Sequence, residues 1–256
     1  MARATTSAPG MPKAKTILAE KVFTPPRAIT SAKAAVEAPK YRIIITNQVD
    51  AYDAPLAADE ISTFGMKRLR PGDNFAGTSR KAAKLSIAEA TTEVFKDIKD
   101  LIKSLVPDKT MAKRKPPIAT TAGSNRVAEE KRNARVRAFL YAASREDDND
   151  FHLIIGRAPR SSPMYMTMEL SGLPPKRAKS FATLKKARDA YKDFFGDDLP
   201  GPSYHFYRPP IPIEVEGSLF FDMSHATGGK PGPQDLRKDI PTIWEVHPIT
   251  RIVFEP

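Results

Sequence analysis

The chain has 256 residues, 41% hydrophobic and 28% charged, with no cysteine and a formal net charge of +11. Without cysteine, disulfides and thiolate metal sites are excluded, and no apolar run approaches the ~20 residues that a membrane-spanning helix needs. Residues 1–132 hold 24 Lys/Arg against 14 Asp/Glu, whereas residues 133–256 hold 17 against 16.

The basic surplus of the first half would attract nucleic acid or another polyanion. The N-terminus carries positive charge but no apolar segment of the signal-peptide kind, so no membrane partner and a cytoplasmic location are expected.

Residues 1–40 are rich in Ala, Pro, Lys and Thr without a periodic apolar face, and are read as a disordered basic region. Residues 41–125 are read as a weakly structured basic region. They open on a short β-branched strand, Tyr41–Thr46 (YRIIIT). Ser86 and Glu89 have capping-box spacing. Val94, Ile98, Leu101, Ile102 and Leu105 follow at helical intervals, which predicts a helix over 86–106 ended by Pro107. Such a helix buries its stripe on its own chain or on a protein partner. Residues 107–125, with Lys113-Arg114-Lys115 before two prolines, read as a linker.

From residue 126 the texture becomes that of strands. Arg135–Ser144 alternates, the acidic turn Glu146-Asp147-Asp148-Asn149 suits a hairpin, and Asp150–Gly156 (DFHLIIG) follows. Period-2 geometry places Asp150, His152 and Ile154 on one side of that strand. Met164–Leu170 is a third strand, with Tyr165, Thr167 and Glu169 on a common face. A helix opens at Ser180, and its apolar positions Phe181, Leu184, Ala187, Tyr191, Phe194 and Phe195 share one face; Gly196 caps it. Ile213–Phe221 and Trp244–Phe254 give two further strands, the last bent at Pro248. The order β-β-β-α-β-β over 126–256 predicts a five-stranded OB-like barrel, mainly β with one packed helix.

Three of the four histidines stand beside acidic residues near strand ends: Asp150/His152, Asp222/His225 and Glu245/His247. Convergence of these pairs would suit a divalent ion. The candidate metal ligands are His152, Glu169, Asp222, His225 and His247. Asp150, Asp222, His225 and Glu245 are the candidate catalytic groups, activating a water or acting as general base.

The segments DFHLIIG, Glu169, GSLFFDMSH and WEVHP resemble a group of uncharacterised bacterial proteins. Their shared pattern is an Asp-x-His strand, a Glu strand, Gly-x-x-Phe-Phe-Asp-x-x-His and Glu-x-His-Pro. The resemblance covers about 135–254 and implies a small barrel of OB or staphylococcal-nuclease-like architecture. It carries over Asp150, His152, Glu169, Asp222, His225, Glu245 and His247, and implies no established activity.

The leading functional expectation is an OB-like binding domain for nucleic acid or another anionic ligand, with Arg137, Tyr141 and Arg208 as contacts: cations for phosphates and an aromatic ring for base stacking. The alternative is a metal-dependent phosphodiester hydrolase of nuclease type. A structural or interaction protein, docking through helix 86–106, is the third reading.

Overall fold

A computed structural model describes residues 10–26, 39–49, 72–226 and 229–255. Its strands are β1 (Ile17–Phe23), β2 (Tyr41–Thr46), β3 (Thr92–Phe95), β4 (Asn133–Arg145), β5 (Phe151–Gly156), β6 (Tyr165–Leu170), β7 (His205–Phe221) and β8 (Trp244–Phe254). The helices are α1 (Lys81–Lys84), α2 (Ile98–Lys103), α3 (Asp108–Ala112) and α4 (Phe181–Phe195). The fold is mainly β, with one long helix.

The eight strands form a mixed sheet in the order β1-β2-β7-β8-β6-β5-β4-β3, and β7 pairs with β4 as well. This replaces the expected five-stranded OB-like barrel. The three added strands come from residues read as disordered, weakly structured or helical. β7 explains how they are accommodated. Its 17 residues pair with β4 over much of their length, while β2 takes His205–Arg208 and β8 takes Ile213–Phe221. Ile211, Ile213 and Val215 are buried in alternation with half-buried Pro212, Glu214 and Glu216, the pattern of a strand with one face inward.

Strand β1 corrects the disordered reading within residues 1–40: ILAEKVF pairs antiparallel with β2, and Phe23 packs against Phe195 of α4. Its Ala- and Pro-rich flanks concealed a run long enough to pair. Residues 1–9 and 27–38 of that region lie outside the described residues. So do residues 50–71.

The predicted helix 86–106 is also corrected. The Ser86 hydroxyl donates to the Ala83 carbonyl, and Glu89 pairs with Lys179, so neither makes the capping box. Thr92–Phe95 instead extends as a parallel edge strand beside β4. β-branched Thr92 and Val94 favour that conformation, and Asp97 caps the short α2 by accepting from the Lys99 N–H at 2.7 Å. Val94 is exposed, while Ile98 and Leu101 are buried in the chain's own core. The stripe is therefore split: Val94 faces solvent, while Ile98, Leu101, Ile102 and Leu105 pack on the chain's own core. Nor are residues 107–125 a bare linker. Asp108 of α3 accepts from Thr242 and Ile243, and Met111 and Ile118 are buried.

The core divides across the faces of the central strands. Leu153, Ile155, Met166, Met168 and Val246 belong to the larger cluster, which α4 covers with Ala187, Tyr191 and Phe195. On the opposite face Ile154, Tyr165, Tyr204 and Phe206 form a smaller one, closed by Leu236 and Ile240. The polar side chains of β5, β6 and β8 point to this second face. No helix among the described residues is long and apolar enough to cross a membrane.

Candidate metal centre

Strand register assembles the site. Ser144 on β4 stands opposite His152 on β5, and His152 opposite Glu169 on β6. β6 and β8 run parallel with Thr167 beside Glu245, so two residues further Glu169 meets His247. The result is a row of polar side chains across four adjacent strands. Asp150 enters from the hairpin just before β5. Its Oδ1 accepts the Gly172 N–H at 2.6 Å, which leaves Oδ2 turned inward, 3.5 Å from His247 Nε2.

His247 is the hub. Its Nδ1 lies 2.7 Å from Glu169 Oε2 and 3.6 Å from Glu245 Oε2. The first is an ion-pair contact at hydrogen-bond distance and the second is longer, and neither has the angles of a well-formed hydrogen bond. Asp150 Oδ2, Glu169 Oε2, Glu245 Oε2 and both ring nitrogens of His247 are buried without a hydrogen-bond partner among the described residues. Buried polar atoms are ordinarily paired. Five such atoms turned into one volume could together ligate a cation. One ligand atom each from Asp150, Glu169 and His247 lie within 4.8 Å of one another, close enough to share an ion.

A second group adjoins. His152 Nδ1 is 2.8 Å from Glu146 Oε1 and 3.2 Å from the Tyr204 hydroxyl. Glu146, His152 and Glu169 also have ligand atoms within 4.8 Å of one another. At the rim, the Lys84 ammonium stands 3.7 Å from Asp148 Oδ2 and 4.0 Å from Glu169 Oε2. Phe220 forms one wall, its ring 5.3 Å from that of His247.

The electrostatics are those of crowded charge in a dry place. Burial, then Asp148 and Glu169, push Asp150 well above the usual carboxylate range. Burial, then Glu169 and Asp222, do the same to Glu245. Burial also pushes Glu169 upward, but His247 and Lys84 outweigh it and hold Glu169 well below its ordinary value. Burial draws His247 down. It acts likewise on Lys84, where Glu169, Asp150, Asp148 and Asp222 more than reverse it. Like charges in one buried pocket cannot all ionise without a compensating cation.

Of the residues expected at the site, Asp150, His152, Glu169, Glu245 and His247 are brought together. Asp222 and His225 chiefly engage each other, at 3.4 Å. Asp222 caps a turn by accepting from the Ser224 N–H, and His225 Nδ1 faces the Gly229 carbonyl. Asp222 bears on the site through its charge, and neither residue belongs to the ligand groups. The expected nucleic-acid contacts do not converge. Arg137 lies between Glu214 and Glu255; Tyr141 is buried, donating to the Arg157 carbonyl with its ring edge-on to Tyr165; Arg208 is exposed, opposite Arg42. A buried ring cannot stack on a base.

Sequence reasoning missed Glu146 and Lys84. Glu146 stood in an acidic turn, which reads as solvated. Lys84 has no motif at all and reaches the site through a four-residue helix.

Matched against family models, curated proteins and solved structures, the chain finds no counterpart.

Proposed function

We propose that the protein is a divalent-metal-dependent hydrolase of phosphodiesters, with its ion held by Asp150, Glu169 and His247 beside Glu245. The observation that carries this reading is the set of buried, unpartnered carboxylate oxygens and imidazole nitrogens facing one another. One imidazole among carboxylates suits Mn, Fe or Zn better than a thiolate-loving or purely oxygen-loving ion. A bound divalent ion supplies Lewis acidity and a water of lowered pKa.

The residues around the donors favour a working site over a purely structural one. The donors are buried, but the rim is polar and open in part: the side chains of Lys84, Asp148 and Asp222 are 15%, 19% and 14% exposed. Lys84 is placed to meet a negatively charged oxygen next to the ion, where charge develops in phosphoryl transfer. The chain's net charge of +11 favours polyanionic substrates.

The test is metal content followed by activity. Protein stripped with chelator and reloaded with Mn²⁺ or Zn²⁺ is expected to cleave bis(p-nitrophenyl) phosphate and single-stranded nucleic acid. Asp150→Asn and Glu169→Gln should lose both the ion and the cleavage. An ion bound tightly with no cleavage of any phosphodiester would reduce the site to a structural metal, and no ion would remove the reading.

A further inference from the structure

We infer that the centre takes two divalent cations, the second held by Glu146 and His152, with the Glu169 carboxylate bridging the pair. The inference rests on the metal reading above and extends it. Glu169 is the one residue common to both ligand groups, Asp150/Glu169/His247 and Glu146/His152/Glu169. Its side chain is 95% buried, and its Oε2, 2.7 Å from His247 Nδ1, has no hydrogen-bond partner of proper geometry. A carboxylate has two oxygens and can serve one ion with each, the arrangement that holds paired ions roughly 3.5–4 Å apart in two-metal hydrolases.

The geometry of the second group fits an ion with little movement. Donors around a tetrahedral ion at about 2.0–2.2 Å stand roughly 3.3–3.6 Å from one another. Glu146 Oε1 and His152 Nδ1 are 2.8 Å apart, so they must separate by less than an ångström. Glu146 can supply that motion. It sits in the hairpin turn with its side chain 31% exposed, whereas His152 is held in the sheet.

Chelator-stripped full-length protein titrated with Mn²⁺ under equilibrium dialysis should bind two ions per chain, and its electron paramagnetic resonance spectrum should show exchange coupling. Glu146→Gln should keep one ion and weaken the other at least tenfold, with the coupled spectrum replaced by that of an isolated ion. Because Glu146 is partly exposed, this variant spares the core; His152→Gln should behave alike if it folds. Glu169→Gln should lose both ions. Saturation of the wild type at one ion, or two coupled ions surviving in Glu146→Gln, would overturn the bridged pair and leave the single-ion reading standing. No binding at all would overturn both.

Discussion

Arg80 and Glu130 form a two-pronged ion pair inside the protein, with each guanidinium Nη donating to its own carboxylate oxygen at 2.7 Å. The pair is tied to the end of β7: Arg80 also donates to the Phe221 carbonyl, and Glu130 accepts the Phe221 N–H. The guanidinium lies 4.6 Å above the Phe220 ring, which in turn faces His247. Arg80 immediately precedes α1, which ends on Lys84. One buried pair thus sets Lys84 against the candidate metal ligands.

Removing one partner of a buried, hydrogen-bonded pair strands the other charge and costs about 3–5 kcal/mol. Glu130→Gln is expected to lose that much in urea unfolding. Trp244, the chain's one tryptophan, is buried at the start of β8 and reports the transition by fluorescence. A loss below about 1 kcal/mol would contradict the role given to the pair.

Arg126 holds the backbone of the site. Its guanidinium donates to the carbonyls of Ala83, Ser86 and His247 at 2.8, 2.9 and 2.6 Å, and to that of Leu219. Burial lowers its pKa to about 10, which still leaves it charged at neutral pH. Lysine has no planar fork and cannot serve all four carbonyls. Arg126→Lys should therefore cost about 2–4 kcal/mol in the same unfolding measurement, since each buried carbonyl left unpaired costs about 1–3 kcal/mol.

Gly172 is where a methyl group would disturb Asp150 directly. An added Cβ would lie 2.6 Å from the Phe75 Cα and 2.8 Å from its N, both backbone atoms that cannot rotate away. The displaced Gly172 N–H would take Asp150 with it. Gly172→Ala is expected to lose about 1–3 kcal/mol through overpacking and to weaken Mn²⁺ binding. Gly123→Ala, with open space around the new methyl, should change neither.

His205 sets an acid limit on stability. Burial, with Lys21 adding to it and Asp198 opposing, lowers its pKa from 6.5 to about 4. Between these values the unfolded chain binds the proton and the folded chain does not. Stability is therefore fully present above about pH 6.5 and falls as pH drops toward 4, by at most about 3 kcal/mol. Unfolding free energies measured from pH 7 to pH 4 should show this slope. His205→Gln should flatten it over the same range; an unchanged slope would assign the effect elsewhere.

The side on which a residue stands was readable in one dimension. DFHLIIG and WEVHP are strands, and a period of two puts Asp150 with His152 and Glu245 with His247 whatever lies beyond them. The long helix was readable for the same local reason, since Leu184, Ala187, Tyr191 and Phe195 recur at its turn spacing. Thr92–Phe95 went the other way. Its helical spacing competed with β-branched residues, and the open edge of β4 decided in favour of a strand. Ile17–Phe23 likewise gained its order from β2, a neighbour it could not announce.

The site itself belongs to tertiary structure. His152, Glu169 and His247 share a row only because β5 pairs with β6 and β6 runs parallel to β8, pairings set by hydrogen bonds between strands. Asp222 and His225 resembled the other pairs in sequence and were diverted into a turn of their own. Glu146 and Lys84 joined through packing alone. Local spacing determined which way each acidic and imidazole group points. Only the burial of one sheet face decided which of them meet, because there the cost of stranding a charge makes the choice of neighbours matter.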